Sequence, residues 1–243
     1  MDIELPVTIE RQPNYTTCGP TSLHALYSYF GDSITLPQVI SEVHQHAIGG
    51  GSLSVHLGLH ALRRGYEAAI WVSNVNYWDP TWFTDKTDLA AKLRARFEAK
   101  GWLKNDRFVH ALAAVEEYLE RGGKVVWGDL SPQRISEVLG RGLPILAGTN
   151  GMYLYQCARE TEQGADDVTG DVYGHFIVVC GYRSQDETVS VADPLLDNPA
   201  HGSKYYRAGV YRLIGAIFLG AATDDANCLV IRPRNWQPPV PRS

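Results

Sequence analysis

The stretch "QPNYTTCGPTSLHALYSYFG" (residues 12–31) places a cysteine where a polar loop becomes a helix. Apolar residues then recur every three or four positions, which predicts a helix from Cys18 to Phe30. We expect Thr16 or Thr17 to cap this helix. The backbone N–H groups of a helix start favour the thiolate, which is the reactive form of a cysteine. The pattern therefore indicates a nucleophile at Cys18, and the alternative is a buried thiol on a helix face.

Three polar residues elsewhere in the chain are candidate partners of this cysteine. Gln12 precedes it by six positions, and its side-chain amide could stabilise a developing oxyanion, unless it is a solvated loop residue. His175 begins the apolar run "HFIVVCGY", and Asp193 ends the next run, "VSVAD". An antiparallel hairpin would make these two residues neighbours, so that the carboxylate orients the imidazole. The alternative is a packed strand histidine and a turn-capping aspartate.

The motifs Q-x5-C-G-P-T-x-L, G-H-F-x-V-V and V-x-D-P, in this order, resemble those of the papain-like cysteine peptidases. They look most like the bacteriocin-processing peptidases, which remove double-glycine leaders. The resemblance implies that Cys18 is the nucleophile and that His175 is the general base and acid. It also implies that Asp193 orients the histidine and that Gln12 donates to the oxyanion.

Hydrophobic periodicity divides the rest of the chain into a helical half and a strand-rich half. Predicted helices cover Cys18 to Phe30, Pro37 to about His46, Ser54 to Arg64, Asp88 to Ala99, Val109 to Arg121 and Ser131 to Leu139. Predicted strands cover Glu67 to Val72, Val125 to Trp127, Leu143 to Ala147, His175 to Tyr182, Val189 to Ala192 and Cys228 to Ile231. Only one helix is expected among the later strands, which favours a mainly antiparallel sheet.

The expected fold class is α+β, with residues 1–243 forming a single papain-like domain. A helical lobe of about residues 1–123 and a sheet lobe of about 124–232 would enclose an active-site cleft, and a proline-rich tail at 233–243 would add no core. The segment of about 73–123 extends beyond the small domain of the family. Its aromatic residues either wall a substrate cleft or anchor a long loop.

Composition and charge exclude several classes of partner. The formal net charge is −5 and no basic block occurs, so neither nucleic acid nor an anionic membrane surface is an expected partner. The chain has no apolar run of membrane-spanning length, and its acidic start differs from a signal peptide, which predicts a cytoplasmic protein. No pattern indicates the oligomeric state.

The remaining cysteines and histidines predict no cofactor and no metal site. Cys157, Cys180 and Cys228 form no CxxC pair and lie in strand-like runs, so we expect them to be free, packed thiols. His56 and His60 have the i, i+4 spacing of a metal pair, but they lack the intervening glutamate of HExxH. A packed or solvated helix face is the expected role of that pair.

The sequence therefore predicts a cysteine-dependent hydrolase that acts on a peptide or amide substrate through an acyl-enzyme intermediate. Two alternatives remain open. One is an acyltransferase or peptide ligase that uses the same triad with an amine acceptor, as in phytochelatin synthase. The other is a catalytically idle peptide-binding module, which would have no need of all four candidate residues.

Overall fold

The computed structural model describes residues 2–44, 51–224 and 226–237. Within these ranges the α-helices are α1 Cys18–Tyr29, α2 Leu36–Glu42, α3 Ser54–Arg63, α4 Leu89–Ala99, α5 Asp106–Glu120, α6 Pro132–Gly140, α7 Gly151–Tyr155 and α8 Val210–Leu219. The strands are β1 Asp2–Glu4, β2 Tyr66–Val72, β3 Lys124–Trp127, β4 Ile145–Asn150, β5 Glu160–Thr161, β6 Gly164–Ala165, β7 Gly174–Arg183, β8 Thr188–Ala192, β9 Tyr205–Gly209 and β10 Asn227–Pro233. Short 3-10 helices occur at Pro80–Trp82, Trp102–Lys104 and Gly220–Thr223.

One large sheet organises the molecule, with the strand order β3-β2-β10-β4-β7-β8-β9 and with β1 paired to β7. Only the β2–β3 pair in this described sheet is parallel, and α4 and α5 lie in the connection between those two strands. All its other pairs are antiparallel. The α+β class with a mainly antiparallel sheet is thus confirmed.

The central strands β4 and β7 are buried along nearly their whole length. Consecutive residues of a strand point to opposite faces, so both faces of the sheet must be covered at its centre. Helix α1 packs on β7, and α8 packs on β4. This burial explains why the sequence "HFIVVCGY" reads as a continuous apolar run rather than an alternating one.

The sheet does not begin at the predicted lobe boundary near residue 123. Strands β1 and β2 come from the first half of the chain, and β2 pairs with β3 on one side and with β10 on the other. Local periodicity identified β2 as a strand. Its pairing with the last strand could not be predicted, because that contact joins distant parts of the chain.

The prediction of a single helix among the later strands is wrong, since α6, α7 and α8 all lie there. Helix α8 has the sequence "VYRLIGAIFL", a short apolar run that periodicity alone cannot distinguish from a strand. Strand β9, directly before α8, was not predicted either. Within the described ranges, no helix has both the length and the apolar character needed to cross a membrane.

Two predicted boundaries also change. Helix α2 ends at Glu42, because Val43 already has an extended backbone, and residues 45–46 of the predicted helix lie outside the described residues. The tail contributes to packing, contrary to expectation: the Trp236 ring packs edge-on against Phe30, with their centroids 5.0 Å apart. Residues 238–243 of the tail also lie outside the described ranges.

The segment of about residues 73–123 forms a helical layer beside β2. Helix α5 packs against α3, and α4 packs against α5. Aromatic rings join these elements: Tyr77 and Phe97 both pack against Trp102, with centroids 5.4 Å apart in each pair, and Phe108 stacks on Trp102 at 5.3 Å. These rings pack on one another and against the main core. This packing supports one of the two roles predicted for the aromatic residues, that of anchoring a long loop.

Candidate active site

Cys18 is the first residue of α1, and the loop before it is held together by Asn14. The Thr17 hydroxyl donates to the Asn14 carbonyl oxygen at 2.9 Å, and the Thr16 hydroxyl donates to Asn14 Oδ1 at 2.9 Å. Thr17 occupies the N-cap position but makes no capping hydrogen bond to the helix. Of the two predicted caps, Thr17 is therefore wrong, because its side chain accepts no N–H from the first turn of α1.

Helix α1 is held tightly against the strand that carries His175. A methyl group at Gly19 would lie 3.2 Å from the Phe176 ring and 3.3 Å from Leu57, so any larger residue would force the helix or these side chains to shift. The Ser22 hydroxyl donates to the Phe176 carbonyl oxygen at 3.2 Å. These contacts fix the start of α1 beside the first residues of β7.

His175 and Asp193 meet across the β7–β8 hairpin, as the sequence predicts. His175 Nε2 lies 2.8 Å from Asp193 Oδ1, although 18 positions separate the two residues. On its other side β7 pairs with β4, and the Thr149 hydroxyl donates to the His175 carbonyl oxygen at 2.8 Å. The imidazole is therefore fixed by its own strand and by its carboxylate partner.

On its other side the imidazole lies close enough to the Cys18 side chain for the two groups to interact. Because Nε2 is bonded to Asp193, Nδ1 is the ring nitrogen that remains for the sulfur. Burial disfavours the charged ring, but Asp193 and Cys18 outweigh this effect and raise the pKa of His175 to about 10. The ring therefore carries a proton at neutral pH. The structure thus brings Cys18, His175 and Asp193 together.

Asp193 is completely buried, and four donors satisfy its carboxylate. Besides His175, Oδ1 accepts the backbone N–H of Leu195 at 2.9 Å. Oδ2 accepts the hydroxyl groups of Tyr155 at 2.7 Å and Tyr206 at 2.8 Å. Burial alone would raise the pKa of Asp193, but His175 and these donors hold it below its ordinary value. A buried carboxylate is stable here because it is both paired and fully hydrogen-bonded.

Sequence reasoning missed both tyrosines. Burial and the nearby carboxylate raise the pKa of Tyr155 and of Tyr206, so both remain protonated donors. Tyr155 lies in α7 and Tyr206 in β9, and neither element was predicted. The only local signal was Asn150, whose side chain accepts the Tyr153 N–H and caps α7.

Gln12 is 7% exposed, which excludes the solvated-loop alternative. Its backbone N–H donates to the Pro194 carbonyl oxygen at 2.9 Å, and its Nε2 donates to the Asn14 carbonyl oxygen at 3.0 Å. One N–H of that amide is thus used within the loop and the other remains. Gln12 Oε1 is buried without a hydrogen-bond partner among the described residues.

All four cysteines are free thiols. Cys180 and Cys228 are buried in strands, and burial raises the pKa of each to about 12, as expected for packed, unreactive thiols. The prediction of a strand position for Cys157 is wrong, because this residue directly follows the turn that ends α7. Cys157 is half-buried, with its sulfur 3.4 Å from the Tyr173 hydroxyl.

The His56/His60 pair does not form a metal site in the structure. His60 Nδ1 bonds the Tyr27 hydroxyl at 2.8 Å and Nε2 lies 3.1 Å from Glu42, so both ring nitrogens have protein partners. His56 packs edge-on against His44, with the ring centroids 4.7 Å apart. Among residues 2–44, 51–224 and 226–237, no group of three or more His, Cys, Asp or Glu residues is placed to hold a metal ion.

Comparison with solved structures finds one that shares the fold and two that are less similar. A protein described as a C39-like peptidase from Bacillus anthracis superposes with a TM-score of 0.50 at 14% identity, covering 96% of this chain and 98% of that chain. A double glycine motif protease from an AMS/PCAT transporter, in complex with the leader peptide, gives 0.46 at 12% identity, covering 95% and 94%. Xylellain, a cysteine protease from Xylella fastidiosa, gives 0.46 at 11% identity, covering 95% and 85%.

Comparison at the level of sequence gives the family. A search of curated proteins finds no significant match. The model of the Peptidase_C39 like family, however, matches residues 4–216, which include Gln12, Cys18, His175 and Asp193. Because this match covers most of the sequence, the chain belongs to the Peptidase_C39 like family.

Proposed function

We propose that the chain is a cysteine-dependent hydrolase of peptide or amide bonds, with Cys18 as nucleophile, His175 as general acid and base, and Asp193 as the residue that orients His175. The observation that supports this most is the continuous series of contacts from Cys18 to His175 to Asp193. A nucleophile needs an adjacent base, and that base needs an orienting group. The membership of a peptidase family agrees with this assignment.

The protonated state of His175 determines the first half of the reaction. With its pKa raised to about 10, the ring holds the proton that the leaving group will need. The thiolate is the form of a cysteine that attacks a carbonyl. The sulfur attacks the carbonyl carbon of the substrate and a tetrahedral intermediate forms. As that intermediate collapses, the C–N bond breaks, His175 gives its proton to the leaving amine, and an acyl group remains on Cys18.

The second half of the reaction needs the same ring in its neutral form. His175 takes a proton from water, the water oxygen attacks the thioester carbon, and the C–S bond breaks to release the acid. The proton stays on His175 and the charge returns to sulfur, which restores the starting state. Asp193 keeps the ring oriented through both halves, because its carboxylate is fixed by Tyr155, Tyr206 and the Leu195 N–H.

The negative oxygen of the intermediate needs donors, and we assign two to this role. One is the backbone N–H of Cys18, at the start of a helix that lacks a side-chain cap. The other is Gln12 Nε2, which has one N–H left after its bond to Asn14. Loss of one such donor typically lowers kcat by about 100-fold or more. Gln12 is accordingly assigned as the side-chain oxyanion donor.

The assignment is tested by incubating the protein with a mixed peptide library and identifying the products by mass spectrometry. The wild type and a Cys157→Ala variant should produce the same cleavage products, because Cys157 contacts Tyr173 rather than His175. A Cys18→Ala variant should produce none. Cleavage that persists in Cys18→Ala would exclude Cys18 as the nucleophile.

A further inference from the structure

A cavity of about 90 Å³ lies between the first turn of α3, strands β2 and β3, and the layer formed by segment 73–123. Its wall is mostly apolar and includes Leu53, Val55, Ile70, Val72, Leu93 and Val115. Its lining contains no charged side chain, and its polar side chains come mainly from Ser54, Asn74 and Asn227. One water molecule needs roughly 10–15 Å³ of cavity volume and a cavity of about 150 Å³ holds benzene, so this cavity has room for a branched chain or for part of a ring.

Asn74 presents an unused donor in this apolar wall. The residue is 2% exposed, and its Oδ1 accepts the Asn76 N–H at 3.0 Å, which shapes the turn that follows β2. Its Nδ2 is buried without a hydrogen-bond partner among the described residues. An aspartate would make the same turn without a buried unpaired donor, since only the side-chain oxygen is used there. A buried donor of this kind is costly unless an acceptor meets it.

We propose that the cavity binds a neutral, apolar group that carries one hydrogen-bond acceptor, namely an aromatic ring or branched chain next to a carbonyl. The carbonyl oxygen would accept from Asn74 Nδ2 while the apolar part fills the space between β2 and α5. The uncharged lining excludes a charged ligand, because a buried charge needs a partner of opposite sign. Segment 73–123, which none of the three sequence motifs covers, thus has a binding role in addition to its packing role.

The cavity lies near the end of the sheet that carries His175. Asn227 pairs with Gly148, and Gly148 pairs with Phe176, so the cavity begins two strand spacings, about 10 Å, from the β7 residues beside Cys18. There are two alternative sources for the bound group. It is a residue of a peptide substrate, a version that rests on the proposed function, or it is a free small molecule.

Binding is measured by titrating the protein into 4-fluoroacetophenone and following the ¹⁹F NMR signal, with fluorobenzene as the probe that lacks the carbonyl. The wild type and Cys18→Ala should bind both probes. Asn74→Asp keeps the acceptor for the Asn76 N–H but lacks the donor. This variant should bind 4-fluoroacetophenone about tenfold more weakly, which corresponds to about 1.4 kcal/mol of binding free energy. Its affinity for fluorobenzene should change little.

A cavity-filling variant makes the test independent of the buried charge that Asn74→Asp introduces. Ala111 lines the cavity on α5, so Ala111→Phe should abolish binding of both probes. Ala113→Phe, on the exposed side of the same helix, should leave binding unchanged. The proposal is overturned if the wild type binds neither probe, if Ala111→Phe binds as the wild type does, or if Asn74→Asp weakens both probes equally.

The same probe separates the two sources. If the occupant is a substrate residue, 4-fluoroacetophenone should raise the KM of a cleaved peptide and leave kcat unchanged, and Ala111→Phe should raise KM as well. If the occupant is a separate small molecule, the KM of that peptide should not change. A chain that cleaves no peptide but still binds the probe through Asn74 would overturn the proposed function while leaving this site intact.

Discussion

Gln12 donates its backbone N–H to the carbonyl oxygen of Pro194, the residue that directly follows Asp193. This bond joins the loop that leads into Cys18 to the hairpin that carries the His175–Asp193 pair. Two further bonds strengthen the junction: Lys204 Nζ donates to the Ile9 carbonyl oxygen at 2.7 Å, and the Ile9 N–H donates to the Tyr205 hydroxyl at 2.9 Å. Contacts between residues 9–12 and residues 194–205 therefore hold the candidate nucleophile near its partners before any substrate binds.

Tyr155→Phe tests whether the buried tyrosines position Asp193. The change removes one donor from a buried carboxylate, so the pKa of Asp193 should rise and the acid limb of the pH–rate profile should move to higher pH. The free energy of unfolding should fall by roughly 1–3 kcal/mol. The matched control is Tyr153→Phe, in the same helix but 38% exposed, which should alter neither measurement. An unchanged acid limb in Tyr155→Phe would leave that tyrosine with a structural role only.

Gly19→Ala tests the close approach of α1 to β7. The added methyl group would lie 3.2 Å from Phe176, so the start of the helix should move away from His175. Because small displacements of reacting groups are costly, kcat should fall about 10- to 100-fold. Gly128→Ala adds a methyl group in open space and should keep full activity. Urea unfolding checks that both variants are folded, and a fully active Gly19→Ala would show that the approach is not needed.

Asp193→Asn tests the charge of the buried pair through the pH dependence of stability. The pKa of His175 is about 10 in the folded protein and about 6.5 in an unfolded chain. Between these two pH values, the folded state keeps a proton on His175 that the unfolded chain loses. The stabilisation from this proton is complete below about pH 6.5 and is lost as pH rises through 10. Over that range, the loss of the His175 proton should lower the free energy of unfolding by at most about 1.4 kcal/mol per pH unit.

In Asp193→Asn most of that decrease should disappear, because the carboxylate that contributes most to holding the proton on His175 is gone. Urea unfolding of both proteins at several pH values from 6 to 10 measures the difference. Parallel pH dependences for the wild type and the variant would contradict a charged His175.

The sequence predicted the elements that local spacing determines. Helix α1 follows from its periodicity, and the His175–Asp193 contact follows from a hairpin of two neighbouring strands. The approach of Cys18 to His175 joins distant parts of the chain, so it was predicted from the need of a nucleophile for an adjacent base and from the family resemblance rather than from local spacing. Tyr206 could not be predicted, because its role depends on β9 returning beside β8, and nothing within the local pattern marks that pairing.

The most direct test of the central claim is the rate at which iodoacetamide alkylates Cys18 at pH 6, measured by peptide mass mapping in the wild type and in His175→Ala. Cys157, read in the same digest, provides the internal reference. If His175 holds a proton against an ionised sulfur, Cys18 should react about tenfold or more faster than Cys157 in the wild type, and His175→Ala should remove most of that advantage. Equal rates for Cys18 in the two proteins would contradict the account.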